Sequence, residues 1–329
     1  MPQHTQAHSH GKNHIPFMPT IIEHAASLIN QTPSAAAKNA RLMAMAHAKA
    51  YRQYQLSAVT VGIDVYNIEA EALGAQVRFY DDNSIPGIVA RPFSLDTQMG
   101  DLAFSIDRGR IRLILEAASM VRDEISEETN VNIGICGPFS IMVELLGYEA
   151  AMEAIYDEDV RIHTLLETLL EFQMCYTAHI ASGGIGAVVF ESWASPPLIS
   201  PAIYRKYALP YEKALLSHMK QLGFNRCPLV IGGDTNNIID VMLETGTSLL
   251  VSDYNTNLRQ YVDKVSQKDV TVRANIDPKL VQQGAWKEIG KRIREIKSIE
   301  YTRIVAGTGV IPYDTPPENI LQLKKMLEN

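Results

Sequence analysis

Four acidic residues stand where apolar runs of the sequence stop: Asp64 closes VTVGID, Glu191 closes AVVFE, Asp234 closes PLVIGGD and Asp253 closes SLLVSD. A carboxyl at the end of an apolar segment is partly desolvated, which favours its protonated form and suits it to general acid work. Asp64 is the plainest candidate proton donor of the four. Residues that could hold a substrate follow closely: Tyr66, Asn67 and Glu69 after Asp64, Trp193 after Glu191, Tyr254 after Asp253, and Asn275 at the end of VTVRAN. If these acids meet at one mouth they repel one another, so some must be protonated, paired with a cation or bound to a metal.

Simpler roles compete. Asp234 and Asp277 precede helical segments and read equally well as N-caps, and Glu69 can sit at a helix start with its dipole. Trp193 and Tyr254 could equally be core aromatics. Cys136, in GICGP, reads as a small buried residue, because no histidine stands at another strand end to activate it. Basic groups are scarce at these positions: Arg273 lies within a strand and Arg91 within a longer insertion, which argues against a multiply anionic substrate.

The elements that must position these residues alternate. Seven short apolar runs, SAVTVGID, NVNIGICGP, AVVFESW, PLVIGGD, SLLVSDY, VTVRANID and TRIVAGTG, are separated by longer helical segments such as DVRIHTLLETLLEFQMCYTAHIASG. That cadence predicts parallel strands covered by helices. Polar residues end nearly every strand and no GxGxxG follows the first, so the expected architecture is a (β/α)8 TIM-like barrel with an N-terminal helical extension. An eighth strand is expected in AQVRFYDD or near the N-terminus. Residues 75–130 read as an elaboration of the first unit. Residues 1–19 are expected to be a flexible His-rich tail and 20–329 a single barrel domain; Thr32 and Ser34 around Pro33 suit a helix start in the extension.

Composition limits the function classes. The net charge of -7 and the lack of a basic stripe speak against nucleic-acid binding. Three cysteines, Cys136, Cys175 and Cys227, form no CxxC pair, so reduced thiols and a cytoplasmic protein are expected. No run reaches the 18 apolar residues of a membrane span. His4, His8, His10 and His14 read as part of a polar tail rather than a metal site.

The segments GIDVYNIEAEALGAQV, GICGPFSIMVELLG, FESWASPPLISPAIYRKYALPY, GGDTNNIIDVMLETG and GTGVIPYDTPPENI resemble, in order and spacing, successive motifs of the uroporphyrinogen decarboxylase superfamily. The resemblance runs from about Ser57 onward and implies a distorted (β/α)8 barrel. The decarboxylase branch carries an Arg-rich RQAGRY-type loop, which SLINQTPSAAAKNARLM lacks; the EAEALG wording is closer to the corrinoid-dependent methyltransferases. That branch works with a corrinoid carried by a small partner protein. Members that methylate a thiol hold zinc with a His-x-Cys pair and a late Cys, positions that fall here on Val230, Gly232 and Thr308. A His-x-Cys zinc site is therefore not expected, and which metal, if any, takes part is left open.

What remains implied is a methyltransferase of the O-demethylase type. It would move a methyl group from a methoxylated aromatic compound to the Co(I) corrinoid of its partner. Asp64, Glu191, Asp234 and Asp253 would aid the leaving oxygen, and Tyr66, Asn67, Glu69, Trp193, Tyr254 and Asn275 would line the pocket. The alternatives are a methylcobamide-dependent enzyme with another small donor or acceptor, and a decarboxylase-like lyase; whether two barrels pair is open.

Overall fold

The computed structural model describes residues 15–98, 102–127 and 129–329. Eight parallel strands form two four-stranded sheets. One joins β1 (Phe17–Thr20), β10 (Ile304–Val310), β9 (Thr271–Ile276) and β8 (Leu249–Ser252) in that order; the other joins β2 (Ala58–Val61), β5 (Asn130–Cys136), β6 (Gly186–Phe190) and β7 (Leu229–Val230). At the β7 to β8 seam Ser248 N donates to Cys227 O at 3.2 Å and Leu229 N to Thr247 Oγ1 at 3.0 Å. Ile22, Val65, Phe190, Val230, Leu249 and Val251, drawn from both sheets, pack as one buried cluster. The two sheets thus enclose a common interior, as the TIM-like reading requires.

Seven strands fall on the runs expected from sequence, with β6 starting at Gly186, just before AVVFESW, and β10 ending at Val310, just after TRIVAGTG. The eighth is Phe17–Thr20, which pairs with β10 through Phe17 opposite Ala306. A boundary at residue 19 therefore cuts through a barrel strand, and the domain starts no later than Phe17. The rest of the expected tail, with its four histidines, lies outside the described residues. AQVRFYDD is not a barrel strand: Gln76–Arg78 (β3) pairs antiparallel with Gly87–Ala90 (β4) in a separate hairpin.

Helices cover the sheets, and their ends follow the side chains available. Thr32 Oγ1 accepts from Ala35 N at 3.1 Å and starts Pro33–Ala37, and Asn39 Oδ1 accepts from Leu42 N at 3.0 Å and starts Ala40–Tyr54. The alanine-rich face of Ala40–Tyr54 allows close approach to the barrel. There His47 Nε2 lies 3.0 Å from Gly62 O and 3.2 Å from Gly62 N; burial pushes its pKa down to about 4, keeping the ring neutral. Along each strand, side chains alternate between helices and barrel interior. In β9, Val272, Ala274 and Ile276 face the helical core while Thr271, Arg273 and Asn275 take the other side. No described helix is long and apolar enough to cross a membrane.

Candidate active site at the strand ends

At the end of β2, Asp64 is not the lone carboxyl expected from the sequence. Arg110 Nη1 donates to its Oδ1 at 2.8 Å and Arg110 Nη2 to its Oδ2 at 2.7 Å, while Arg110 Nε donates to Glu71 Oε2 at 2.6 Å. The Asp64 and Arg110 side chains are 1% and 7% exposed. Burial opposes the guanidinium charge, but the two carboxylates overcome it and hold the Arg110 pKa above its ordinary value. This geometry makes Asp64 an anchor for a buried cation, a correction to its reading as a free proton donor. Arg110 starts Ile111–Glu124 in the 75–130 elaboration, and nothing local in the sequence links it to Asp64 across 46 residues. Asn67 is spent similarly: its Nδ2 donates to Asp64 Oδ2 at 3.0 Å and to Pro86 O at 2.6 Å.

Behind this wall lies a group of buried carboxyls. Glu69 Oε1 accepts from Cys136 N at 2.8 Å and from Gln173 Nε2 at 3.0 Å. Glu191 Oε1 accepts from Ser140 N at 2.5 Å. Both residues are fully buried, and burial raises each pKa to about 7; the hydrogen bonds oppose the rise without cancelling it. The Glu191 carboxyl occupies space that only a glycine leaves: a Cβ on Gly137 would lie 1.6 Å from its Oε2. Glu212 accepts from Tyr204 Oη, and burial followed by the Glu191 charge pushes its pKa well up. Glu69 Oε2, Glu191 Oε2 and Glu212 Oε1 each lack a hydrogen-bond partner among the described residues. An unpartnered buried carboxyl oxygen is tolerated far better protonated than charged.

Cys136 is buried and inert, as its surroundings in the sequence suggest. Burial, then the charge of Glu69, holds its thiol pKa well above the usual value, and Sγ donates to Val65 O at 3.4 Å. Tyr66 is half-buried, donates to Ser192 Oγ at 2.5 Å and meets Phe190 edge-on at 6.2 Å. Trp193 stacks on Tyr148 at 5.8 Å and donates through Nε1 to Glu144 Oε1 at 2.7 Å. Glu69, expected at the pocket wall, instead lies beneath the surface as part of the buried group.

Across the barrel the ends of β7, β8 and β9 are tied through Asp253. Its Oδ2 accepts from Gly233 N at 2.9 Å, and its Oδ1 accepts from Tyr254 N at 2.9 Å and from Asn275 Nδ2 at 3.4 Å. Arg292 braces the same ends from outside, donating to Asp253 O at 3.1 Å and Asn275 O at 3.1 Å. Asp234 is exposed; its Oδ1 accepts from Asn236 N at 3.1 Å, so it caps its own turn. Tyr254 is also exposed. Gly233 has φ 77°, and a Cβ there would lie 2.7 Å from Ser195 Oγ, so backbone geometry and the packing of Ser195 account for this glycine.

The three positions that the sequence resemblance aligns with zinc ligands carry no side chains that suit that ion. Val230 belongs to the interior apolar cluster, Gly232 offers only a carbonyl that accepts from Ser195 Oγ, and Thr308 Oγ1 accepts from Thr20 N at 3.2 Å. Sequence reading also missed an acid. Glu23 follows β1, is buried, has its pKa raised to about 7 by burial, and helps line a cavity with Asp82, Ser84, Tyr313 and Asp314. The first strand, placed near the N-terminus without bounds, concealed it.

The family model for uroporphyrinogen decarboxylase (URO-D) matches residues 7–329. The chain belongs to the uroporphyrinogen decarboxylase family. Within that family it is 26% identical over 274 residues to the methylcobamide:CoM methyltransferase MtbA of Methanosarcina acetivorans, covering 82% of this chain and 78% of the relative. It is 28% identical over 221 residues to the uroporphyrinogen decarboxylase of Syntrophotalea carbinolica, covering 64% and 62%. A solved methyltransferase from Methanosarcina mazei superposes with a TM-score of 0.84 over 96% of this chain and 94% of that one, at 19% identity. This URO-D chain therefore shares its barrel with a methyltransferase, in keeping with the branch that EAEALG suggests.

Proposed function

We propose that the protein is a corrinoid-dependent methyltransferase that takes a methyl group from a methoxylated, aromatic compound and passes it to the corrinoid of a partner protein. The similarity to MtbA, a methylcobamide:CoM methyltransferase by its printed name, supports the class. The observation that carries the finer reading is a replacement of chemistry. The thiol-binding zinc positions hold Val230, Gly232 and Thr308, while Glu191 at the end of β6 is a carboxyl whose pKa of about 7 keeps it substantially protonated near neutrality.

The docked Co(I) corrinoid would supply the nucleophile. This chain binds the ether, excludes water and delivers a proton to the departing oxygen as the carbon–oxygen bond breaks. Glu191 is the proposed acid, its Oε2 left without a hydrogen-bond partner among the described residues. Asp253 and Asp234 hold the β7 turn and the outer rim, and Trp193 and Tyr254 offer ring surfaces to an aromatic donor. Asp64, with Arg110, positions the wall rather than giving up a proton.

The test mixes the protein with a Co(I) corrinoid carrier and a panel of methyl ethers, amines, thiols and methanol, and follows the cobalt absorbance. Formation of methyl-Co(III) with a methoxyaromatic donor supports the proposal. Formation with a thiol ether or amine alone supports methyl transfer but overturns the donor class. No change with any donor overturns the assignment.

A further inference from the structure

The interior of this barrel is hollow at the end opposite the candidate active site. A cavity of about 890 Å³ runs from the loops preceding the strands into the barrel as far as Arg273, Val188, Phe190 and Val230. The inward positions of β2, β5 and β6 there are Thr60, Asn132 and Gly186, small or polar where such barrels normally carry bulky branched residues. Phe190 and Val230, in the buried cluster with Ile22, Val65, Leu249 and Val251, lie between this space and the mouth.

Arg273 is the one arginine on the inward face of β9. It is 9% exposed, its Nε has no hydrogen-bond partner, and it forms no ion pair among the described residues. Room for its stem is made by Gly307 on β10, where a Cβ would lie 2.6 Å from both Cγ and Cδ of Arg273. The acid whose charge reaches it, Asp253, is already engaged by Gly233, Tyr254 and Asn275 at the other end of the strands. Burial lowers the Arg273 pKa only to about 10, so the guanidinium is charged at neutral pH. A buried cation without an ion-pair partner is costly, and a guanidinium among the lining residues of a cavity is the group that suits a carboxylate.

We propose that this cavity is a second ligand site, separate from the methyl-transfer site, which binds a small organic carboxylate: the head group pairs with Arg273 and a short apolar body lies against Val188, Phe190, Val230 and Val305. The volume is within the range of small-molecule sites, and both charged and apolar side chains line it, with arginines outnumbering acids. Arg226, whose Nη1 donates to Thr271 Oγ1 at 3.2 Å, places a further positive charge among the lining residues.

The test uses the full chain with hexanoate and octanoate as probes, methyl hexanoate as the uncharged control and sodium chloride as the ionic control, read by thermal shift and calorimetry. The carboxylates are expected to raise Tm progressively with concentration and to bind with a stoichiometry of one by calorimetry, and the ester and chloride to have no matching effect. Arg273→Met, which removes the charge at similar volume, should weaken carboxylate binding at least tenfold while circular dichroism shows an unchanged fold. If that variant does not fold, Arg273→Lys keeps the charge but loses the fork and should show the same weakening. Equal binding of ester or chloride, retained affinity in the folded arginine variant, or neither a Tm rise nor calorimetric binding with either carboxylate would overturn the proposal.

Discussion

Arg110 grips both oxygens of Asp64, at 2.8 and 2.7 Å, and reaches Glu71 with its remaining edge at 2.6 Å. The pair is nearly sealed from solvent, so removing either member strands the other's charge in a poor solvent. Arg110→Met strands two carboxylates and Asp64→Ala strands one guanidinium that still has Glu71. Urea denaturation is expected to show losses of about 3–5 kcal/mol, with Arg110→Met the larger. The double variant should recover part of the loss; strict additivity would show that the two residues do not act as a pair.

Catalysis is expected to depend on the protonated form of Glu191. Its pKa of about 7 means that the acid is available below neutrality and lost as pH rises. The methyl-transfer rate with an ether donor should therefore fall above about pH 7. Glu191→Gln should lower it by about 10² to 10⁴-fold and remove that limb of the profile. A variant that is slow but keeps the same pH profile would leave Glu191 a structural role only.

Stability should also fall with rising pH, through the same physics. Glu69 has a folded pKa near 7, above the ordinary carboxylate value of 4.5, so between these values the folded state binds more protons than the unfolded one. Its contribution is fully present below about pH 4.5 and is lost as pH rises through about 7. Glu69→Gln keeps an acceptor for Cys136 N and removes the charge. It should raise stability at pH 8 by up to about 3 kcal/mol and have little benefit at pH 5, measured by denaturant titration at the two pH values.

Gly233 is expected to tolerate no side chain. Gly233→Ala meets both a left-handed backbone at φ 77° and the Ser195 hydroxyl at 2.7 Å, and should cost about 1–2 kcal/mol for the backbone alone. Adding Ser195→Ala should relieve the contact and leave the backbone share. Recovery to wild-type Tm would show that the backbone conformation carries no cost.

Most of the barrel could be read from the chain because buried parallel strands are written as short apolar runs, and β2 and β5–β10 all are. The first strand is placed by sequence only as one of two alternatives, near the N-terminus, because FMPT contains a proline and too few β-formers, and its pairing depends on Ala306 and Gly307 at the far end of the chain. AQVRFYDD has the right local character for a strand, yet it lacks a place in the barrel and forms a hairpin with Gly87–Ala90 instead.

The sequence by itself determined where acids stand relative to strand ends, since that is a matter of residue type and local order. Only the tertiary structure decided what each acid is doing. Asp64 became an ion-pair partner because Arg110 arrives from a helix 46 residues away, and Glu69 and Glu191 hold raised pKa values because other elements cover them. Arg273 likewise reads as an ordinary strand residue until the fold places it inside the barrel without an ion-pair partner among the described residues. Desolvation and pairing are properties of neighbours in space, and these neighbours are distant in the chain.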